Sequence, residues 1–162
     1  MGRRGYHPRT YRDYHPRIWR AVLDKTGGHC AYCGCHLRVT RTFPNHANVP
    51  EILGDYLGSY EAVKSSPWTR SASIDHFVAA SKGGVDELSN LVPACMKCNQ
   101  LKKDHSLERF RWIVALKRRD APLLSTEQII FLDQAGFDLG AYLPLTPFWF
   151  EKVGLRIEPE EY

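Results

Sequence analysis

Two Cys-x-x-Cys pairs, Cys30/Cys33 and Cys95/Cys98, constrain this chain more than any other feature of its sequence. The two-residue spacing lets one tight turn present both sulfurs to the same ion, and four thiolates complete the tetrahedron of a closed structural zinc site. The N-terminal stretch lacks the apolar run of a secretory signal, so the pairs favour metal binding over disulfides. Buried or redox-active thiols are the alternative reading, and the matched spacing of the two pairs favours zinc.

A different residue could take one of the four ligand positions of the zinc site. His29, His36 and the fifth cysteine, Cys35, lie close enough in sequence to replace one of the four sulfurs. In either case, 61 residues separate Cys33 from Cys95, so a shared ion would close a large loop at its base.

A second set of ligand residues lies in the segment SIDHFVAASKGGVDELSNLVPACMKCNQLKK, residues 73–103. Asp75 and the amide oxygen of Asn99 are hard oxygen ligands of the kind that Mg²⁺ or Mn²⁺ prefers. His76 titrates near neutrality and suits proton removal from an attacking water. Because adjacent strand residues point to opposite faces, Asp75 and His76 are expected to divide these two tasks. Each residue alone is common, since a lone loop Asn such as Asn90 usually caps a turn. The prediction therefore depends on their joint order.

That order, Asp-His, Gly-Gly, Asn-Leu and then Cys-x-x-Cys-Asn-x-x-Lys, resembles the HNH endonuclease family and its ββα-metal motif. The resemblance covers roughly residues 28–105 when the first cysteine pair is included. It implies that His76 is the general base and that Asn90 braces the loop between two strands. It also implies that Asp75 and Asn99 hold a catalytic divalent ion and that Lys102 touches a phosphate. The chain departs from many members in two ways: Asn99 stands where they have His, and 41 residues separate Cys33 from Asp75.

Charge is distributed unevenly along the chain. Residues 1–119 carry 20 Lys and Arg against 10 Asp and Glu, whereas residues 120–162 carry 2 against 8. A basic body of this kind favours a nucleic-acid partner. The predicted DNA-contacting residues are cations of the N-terminal arm and of the motif's end: Arg3, Arg4, Arg9, Arg12, Lys102 and Lys103. The same arm also fits a disordered terminus or a contact with a dimer partner.

The 162 residues suit an α+β fold, with a ββα-metal core stabilised by the four-cysteine site and flanked by helices. Punctuation by Pro and Gly predicts one helix from Pro16 to Gly27, and apolar spacing predicts another from Ser106. Residues 72–80 are predicted to form a strand, and a further helix is predicted from Ser125 or Thr126 to Gly136. The expected organisation is a basic arm (1–15), a nuclease domain (16–119) with an insertion at about 43–70, and a C-terminal extension (120–162) packed on the core. The chain has no apolar run of membrane-spanning length, so a cytoplasmic protein is expected.

The sequence thus predicts a metal-dependent endonuclease that cuts or nicks DNA, most simply double-stranded DNA, in a restriction, phage or mobile-element setting. The predicted cofactors are structural Zn²⁺ and catalytic Mg²⁺ or Mn²⁺, and a homodimer is one route to cutting both strands. The alternative is a zinc-stabilised nucleic-acid-binding module that does not cleave. An interaction protein on a zinc-ribbon scaffold is less consistent with the basic body.

Overall fold

The computed structural model describes residues 14–117, 124–138 and 146–157, which form a three-stranded sheet surrounded by short helices. The strands are β1 (His36–Arg38), β2 (Thr69–His76) and β3 (Leu91–Cys95). The helices are α1 (Pro16–Asp24), α2 (Val49–Leu53), α3 (Tyr60–Ser65), α4 (Met96–Lys102), α5 (Leu107–Lys117), α6 (Thr126–Gln134) and α7 (Trp149–Lys152). Short 3₁₀ turns lie at Gly54–Tyr56, Ala80–Lys82 and Leu88–Asn90. The mixed α and β class predicted from the sequence is confirmed. None of the helices in these ranges is long and apolar enough to cross a membrane.

Helix α1 begins at Pro16, as the sequence predicts, and ends at Asp24, three residues before the predicted Gly27. The His15 side chain accepts a hydrogen bond from the amide of Arg17, and Pro16 occupies the first turn, where its missing N–H costs nothing. The helix buries Trp19 and Leu23 against the core. The chain then turns through Gly27 and Gly28, both with positive φ, and enters the first cysteine pair.

Strand β2 is the centre of the sheet. It pairs in parallel with β1, where Leu37 lies opposite Arg70, and antiparallel with β3, where His76 lies opposite Leu91. Helix α4 follows β3 directly and packs against both β2 and β3. The consecutive order of strand, strand and helix therefore places the end of β2 beside α4.

The strand predicted over residues 72–80 is displaced toward the N-terminus in the structure, because pairing with β1 extends β2 back to Thr69. It ends at His76 because the next residues leave the ladder. The amide of Phe77 donates to the carbonyl of Asn90, and Val78 is held by the Asn90 side chain. The imperfect alternation of this segment reflects that change from strand to loop.

Two clusters of buried side chains hold the helices to the sheet. The larger cluster joins α1, the first cysteine turn and β3 to Phe110 of α5, Phe150 of α7 and Phe148, which precedes α7. The smaller cluster joins Trp112 and Ile113 of α5 to Ile129 of α6. Helix α6 has the Ser125–Gln128 capping box and is followed by Gly136 at positive φ, close to the predicted bounds. The domain divisions themselves stay a prediction.

Residues 43–70, which the sequence suggests are an insertion, contribute α2, α3 and three buried residues, Phe43, Leu53 and Val63. Near the C-terminus, backbone amides of Trp149 and Phe150 donate to the carbonyls of Tyr32 and Ala31. Residues 146–157 therefore lie against the first cysteine turn.

Candidate metal centre and active site

The four paired cysteines converge. The sulfurs of Cys30, Cys33, Cys95 and Cys98 lie within 4.8 Å of one another, in the only such cluster of ligand residues found among the described residues. Tetrahedral zinc with Zn–S bonds of about 2.3 Å requires sulfur–sulfur separations of about 3.8 Å. The Sγ atoms of Cys33 and Cys95 are 3.9 Å apart. The donor set and its spacing therefore fit a zinc ion.

Backbone contacts bring the two cysteine turns together. The amide of Ala31 donates to the carbonyl of Pro93, and the amide of Cys95 donates to the sulfur of Cys30. Cys35 lies beside the cluster, within hydrogen-bonding reach of Cys30 and Cys33. His29 is turned toward the carbonyls of Thr26 and Gly27 at 3.1 Å, so its ring has another partner.

Asp75 points into the protein at the end of β2. Its side chain is 7% exposed, and its carboxylate accepts a hydrogen bond from the Tyr32 hydroxyl at 2.5 Å and lies 3.1 Å from Nζ of Lys102. Burial raises the pKa of Asp75 above its usual value, while the Lys102 charge and the Tyr32 hydroxyl act in the opposite direction. Burial, followed by the charge of Asp75, likewise raises the pKa of Tyr32. These three groups form a buried network between the first cysteine turn, β2 and α4.

His76 points the other way. Its Nε2 lies 2.9 Å from Oδ1 of Asp86, and that same carboxylate accepts a hydrogen bond from the Tyr14 hydroxyl. Both His76 and Asp86 are partly exposed, so solvent reaches the pair. A neutral imidazole that donates Nε2–H to a carboxylate has its lone pair on Nδ1, which is the arrangement of an oriented general base.

Asn90 fastens the loop that follows His76. Its side chain is fully buried, accepts from the amide of Val78 at 2.8 Å, and donates to the carbonyls of Val78 and Val85 at 2.9 and 2.8 Å. Gly84 completes the contact, because a Cβ at that position would lie 1.8 Å from the Val78 carbonyl oxygen and 2.8 Å from Nδ2 of Asn90. The close approach of the Val78 backbone therefore requires glycine at Gly84, the second position of the Gly-Gly pair. The effect of Asn90 on catalysis stays a prediction.

Asn99 lies on α4 and faces β2, where its Nδ2 donates to Oγ of Ser73 at 3.1 Å. Ser73 and Asp75 share one face of β2 because they are two residues apart. Asp75 and Asn99 thus both lie at the interface of β2 with α4, and their binding of Mg²⁺ or Mn²⁺ stays a prediction. The donor chemistry fits a divalent ion, and Lys102 already balances the charge of Asp75.

The predicted nucleic-acid contacts fall into three groups. Arg3, Arg4, Arg9 and Arg12 lie outside the described residues. Lys103 is exposed immediately after α4. Lys102 is fully buried and donates to the carbonyl of His76 at 2.9 Å, so its ammonium faces the interior, and its contact with a phosphate stays a prediction.

Tyr32 and Asp86 are the residues that sequence reasoning missed. Tyr32 is 43 residues from Asp75 in the chain, so no local pattern connects them. Asp86 is ten residues from His76, in the loop that contains the Gly-Gly pair. The sequence signal that could have identified Asp86 is the presence of a carboxylate in the loop that follows the candidate base.

Residues 62–105 match the family model described as HNH endonuclease. This confirms the resemblance for the segment that contains Asp75, His76, Asn90 and Asn99. No curated protein and no solved structure matches the chain.

Proposed function

We propose, from the HNH endonuclease segment that this chain carries, that the protein is a metal-dependent endonuclease that hydrolyses DNA phosphodiester bonds. The observation that supports this most is the divergence of two adjacent side chains at the end of β2. Asp75 turns to the buried interface with α4, and His76 turns to the partly exposed face and Asp86. Hydrolysis needs a base on one side of the phosphorus and positive charge on the other, and this divergence provides two such directions.

His76 acts on the water nucleophile. Donation of Nε2–H to Asp86 selects the tautomer in which Nδ1 carries the lone pair, and that lone pair takes the proton of the water. As Nδ1 takes the proton, the imidazolium is stabilised by the Asp86 carboxylate. Asn90 keeps the loop that carries Asp86 in register with the strand end. The strand–strand–helix unit of β2, β3 and α4 is, in this proposal, a ββα-metal core.

Two metal roles complete the proposal. Cys30, Cys33, Cys95 and Cys98 hold a structural Zn²⁺. Asp75 and Asn99 are the residues that would hold Mg²⁺ or Mn²⁺, which when bound supplies positive charge to the phosphoryl and leaving oxygens. Lys102 sets a condition on that binding, because its ammonium occupies one side of the Asp75 carboxylate. A cytoplasmic location and a homodimer stay predictions.

A supercoiled plasmid tests the proposal. Zinc-loaded protein is incubated with plasmid and Mg²⁺ or Mn²⁺, beside His76→Ala and a second histidine variant, His46→Ala, whose ring packs against His15 and Phe43. Nicking or linearisation by the wild type and by His46→Ala, lost with EDTA and lost in His76→Ala, is the expected result. Equal cutting by all three proteins would contradict the assignment of the base.

The Lys102–Asp75 ion pair favours one second candidate. A carboxylate already neutralised by a buried ammonium is also consistent with a zinc-stabilised nucleic-acid-binding module that does not cleave. In that case, the plasmid is retarded on a gel with either divalent ion and remains supercoiled.

A further inference from the structure

An open groove of about 730 Å³ lies between α3, the start of β2 and the first turn of α4. Three cations line it, one from each element: Lys64, Arg70 and Lys97. The remaining lining mixes polar side chains such as Ser71 and Gln100 with the apolar side chains of Val63 and Met96, and no Asp or Glu contributes to it. We call this surface, defined by Lys64, Arg70, Lys97, Ser71 and Gln100, the basic groove.

Within the part of the chain that the structure describes, the cations of the basic groove form no ion pair. No described carboxylate lies within ion-pair distance of Lys64, Arg70 or Lys97. Arg70 is nevertheless held in place, because its Nη1 donates to the carbonyls of Ser66 and Thr69 at 2.8 and 3.0 Å. Carbonyl oxygens fix the guanidinium without neutralising it, so it stays available to an anion as a planar donor.

One exposed aromatic residue, Tyr60, lines the basic groove, and a second, Trp68, lies two residues before Arg70 in the chain. The Trp68 side chain is 76% exposed and Tyr60 is 61% exposed. The backbone of Trp68 is tied on both sides, since its carbonyl accepts from the amide of His36 and its amide donates to Oγ of Ser66. An anchored, solvent-facing indole in the segment that leads into Arg70 is a feature of surfaces that receive another molecule.

The basic groove lies on the strand that carries the candidate base. Arg70 and His76 are six residues apart on β2, which corresponds to about 20 Å along an extended strand. Consecutive phosphates on one DNA strand follow the helix axis at about 3.4 Å, so this distance spans roughly six base pairs. Phosphates that bind the groove would therefore lie on the flank of a substrate positioned at His76.

We propose that the basic groove is a DNA-backbone binding site, in which Lys64, Arg70 and Lys97 take phosphates of the flanking duplex and Trp68 contacts the same strand. Its position relative to the cut rests on the proposed function, but its affinity for DNA does not. Phosphate contacts carry no sequence information, so the basic groove positions the DNA and adds affinity without sequence specificity.

Salt-dependent binding tests the groove. Each neutralised phosphate contributes a slope of about −0.9 to log K against log [salt]. The double variant Lys64→Gln/Lys97→Gln should therefore flatten the slope by about 1.8. If the two proteins bind equally at 1 M salt, this change corresponds to roughly a 60-fold loss of affinity at 0.1 M salt. The matched control is Lys152→Gln/Arg156→Gln, two exposed cations on and after α7 whose loss changes net charge equally.

The measurement is fluorescence anisotropy of a labelled duplex titrated with zinc-loaded protein in the His76→Ala background, without added Mg²⁺ or Mn²⁺. A flattened slope in the groove variant alone is the expected result. An unchanged slope, or the same change in the control, overturns the proposal.

Trp68 supplies a second readout, because it is more exposed than the other tryptophans. Duplex addition should change the intrinsic fluorescence of the wild type, and Trp68→Phe should abolish most of that change. Persistence of the full change in Trp68→Phe would contradict contact at this residue. Binding with these signatures but no plasmid cutting would defeat the proposed endonuclease and leave the basic groove intact.

Discussion

Replacing Lys102 by Met should destabilise the protein far more than the usual loss of a lysine. Lys102 and Asp75 are 0% and 7% exposed, and their charged atoms are 3.1 Å apart. At an effective dielectric constant of about 20, this separation corresponds to about 5 kcal/mol of attraction. Breaking a buried pair by removing one partner costs about 3–5 kcal/mol, since the remaining charge is left without compensation. We expect a loss in the free energy of unfolding within that range.

The direction of the Asp75 pKa shift predicts how the stability loss of Lys102→Met depends on pH. Burial already raises the folded-state pKa of Asp75, so its contribution to stability is present below the unfolded pKa and is lost as pH rises through the folded pKa. Removing Lys102 deletes the largest opposing influence and moves that folded pKa higher. The loss caused by Lys102→Met should therefore shrink as the pH falls below neutrality and Asp75 takes up a proton.

Urea unfolding in zinc-containing, reducing buffer measures these changes. The matched control is Lys103→Met, because Lys103 is exposed and adjacent, and its stability should change by less than about 0.5 kcal/mol. The double variant Asp75→Asn/Lys102→Met should regain much of the loss, since no isolated charge remains. A loss below about 1 kcal/mol in Lys102→Met, or strict additivity in the double variant, would refute the reasoning.

Three further outcomes follow from the site. Asp86→Asn should slow plasmid cutting by about tenfold to 100-fold and displace its pH profile, because the base loses its carboxylate partner; an unchanged profile argues against this role. Cys33→Ser should lower the zinc content measured by atomic emission, whereas Cys35→Ser should keep one zinc per chain; equal loss in both would place Cys35 in the ligand set. Gly84→Ala should lower both activity and urea midpoint, because its Cβ meets the Val78 carbonyl oxygen at 1.8 Å, and an unaltered midpoint would show that the loop adapts.

Local spacing explains what the sequence predicted well. The cysteines of each pair are two residues apart, and Asp75 and His76 are adjacent, so their geometry depends on one turn or one strand. Helices α1 and α6 have Pro, Ser and Gly at their ends, which act through the nearest backbone groups. These features need no knowledge of the tertiary fold.

Long-range contacts explain what the sequence could not predict. Strand β1 has only three residues, too few to show an alternation, and it exists through parallel pairing with a strand 33 positions later. Lys102 stands in a basic run that favours solvent, yet its burial depends on a carboxylate from β2. Tyr32 sits between two cysteines, and only the folded chain brings its hydroxyl to Asp75.

The central claim, that His76 is the general base of a divalent-metal-dependent nuclease, is tested most directly by the initial rate of nicking of supercoiled plasmid. The rate is measured for zinc-loaded wild type and His76→Ala at equal concentration with Mn²⁺. General-base catalysis contributes about 10²–10⁴-fold, so the variant should be slower by at least about 100-fold while retaining its zinc and its affinity for DNA. Equal rates for the two proteins, or a wild type that binds the plasmid and never nicks it, would contradict the account.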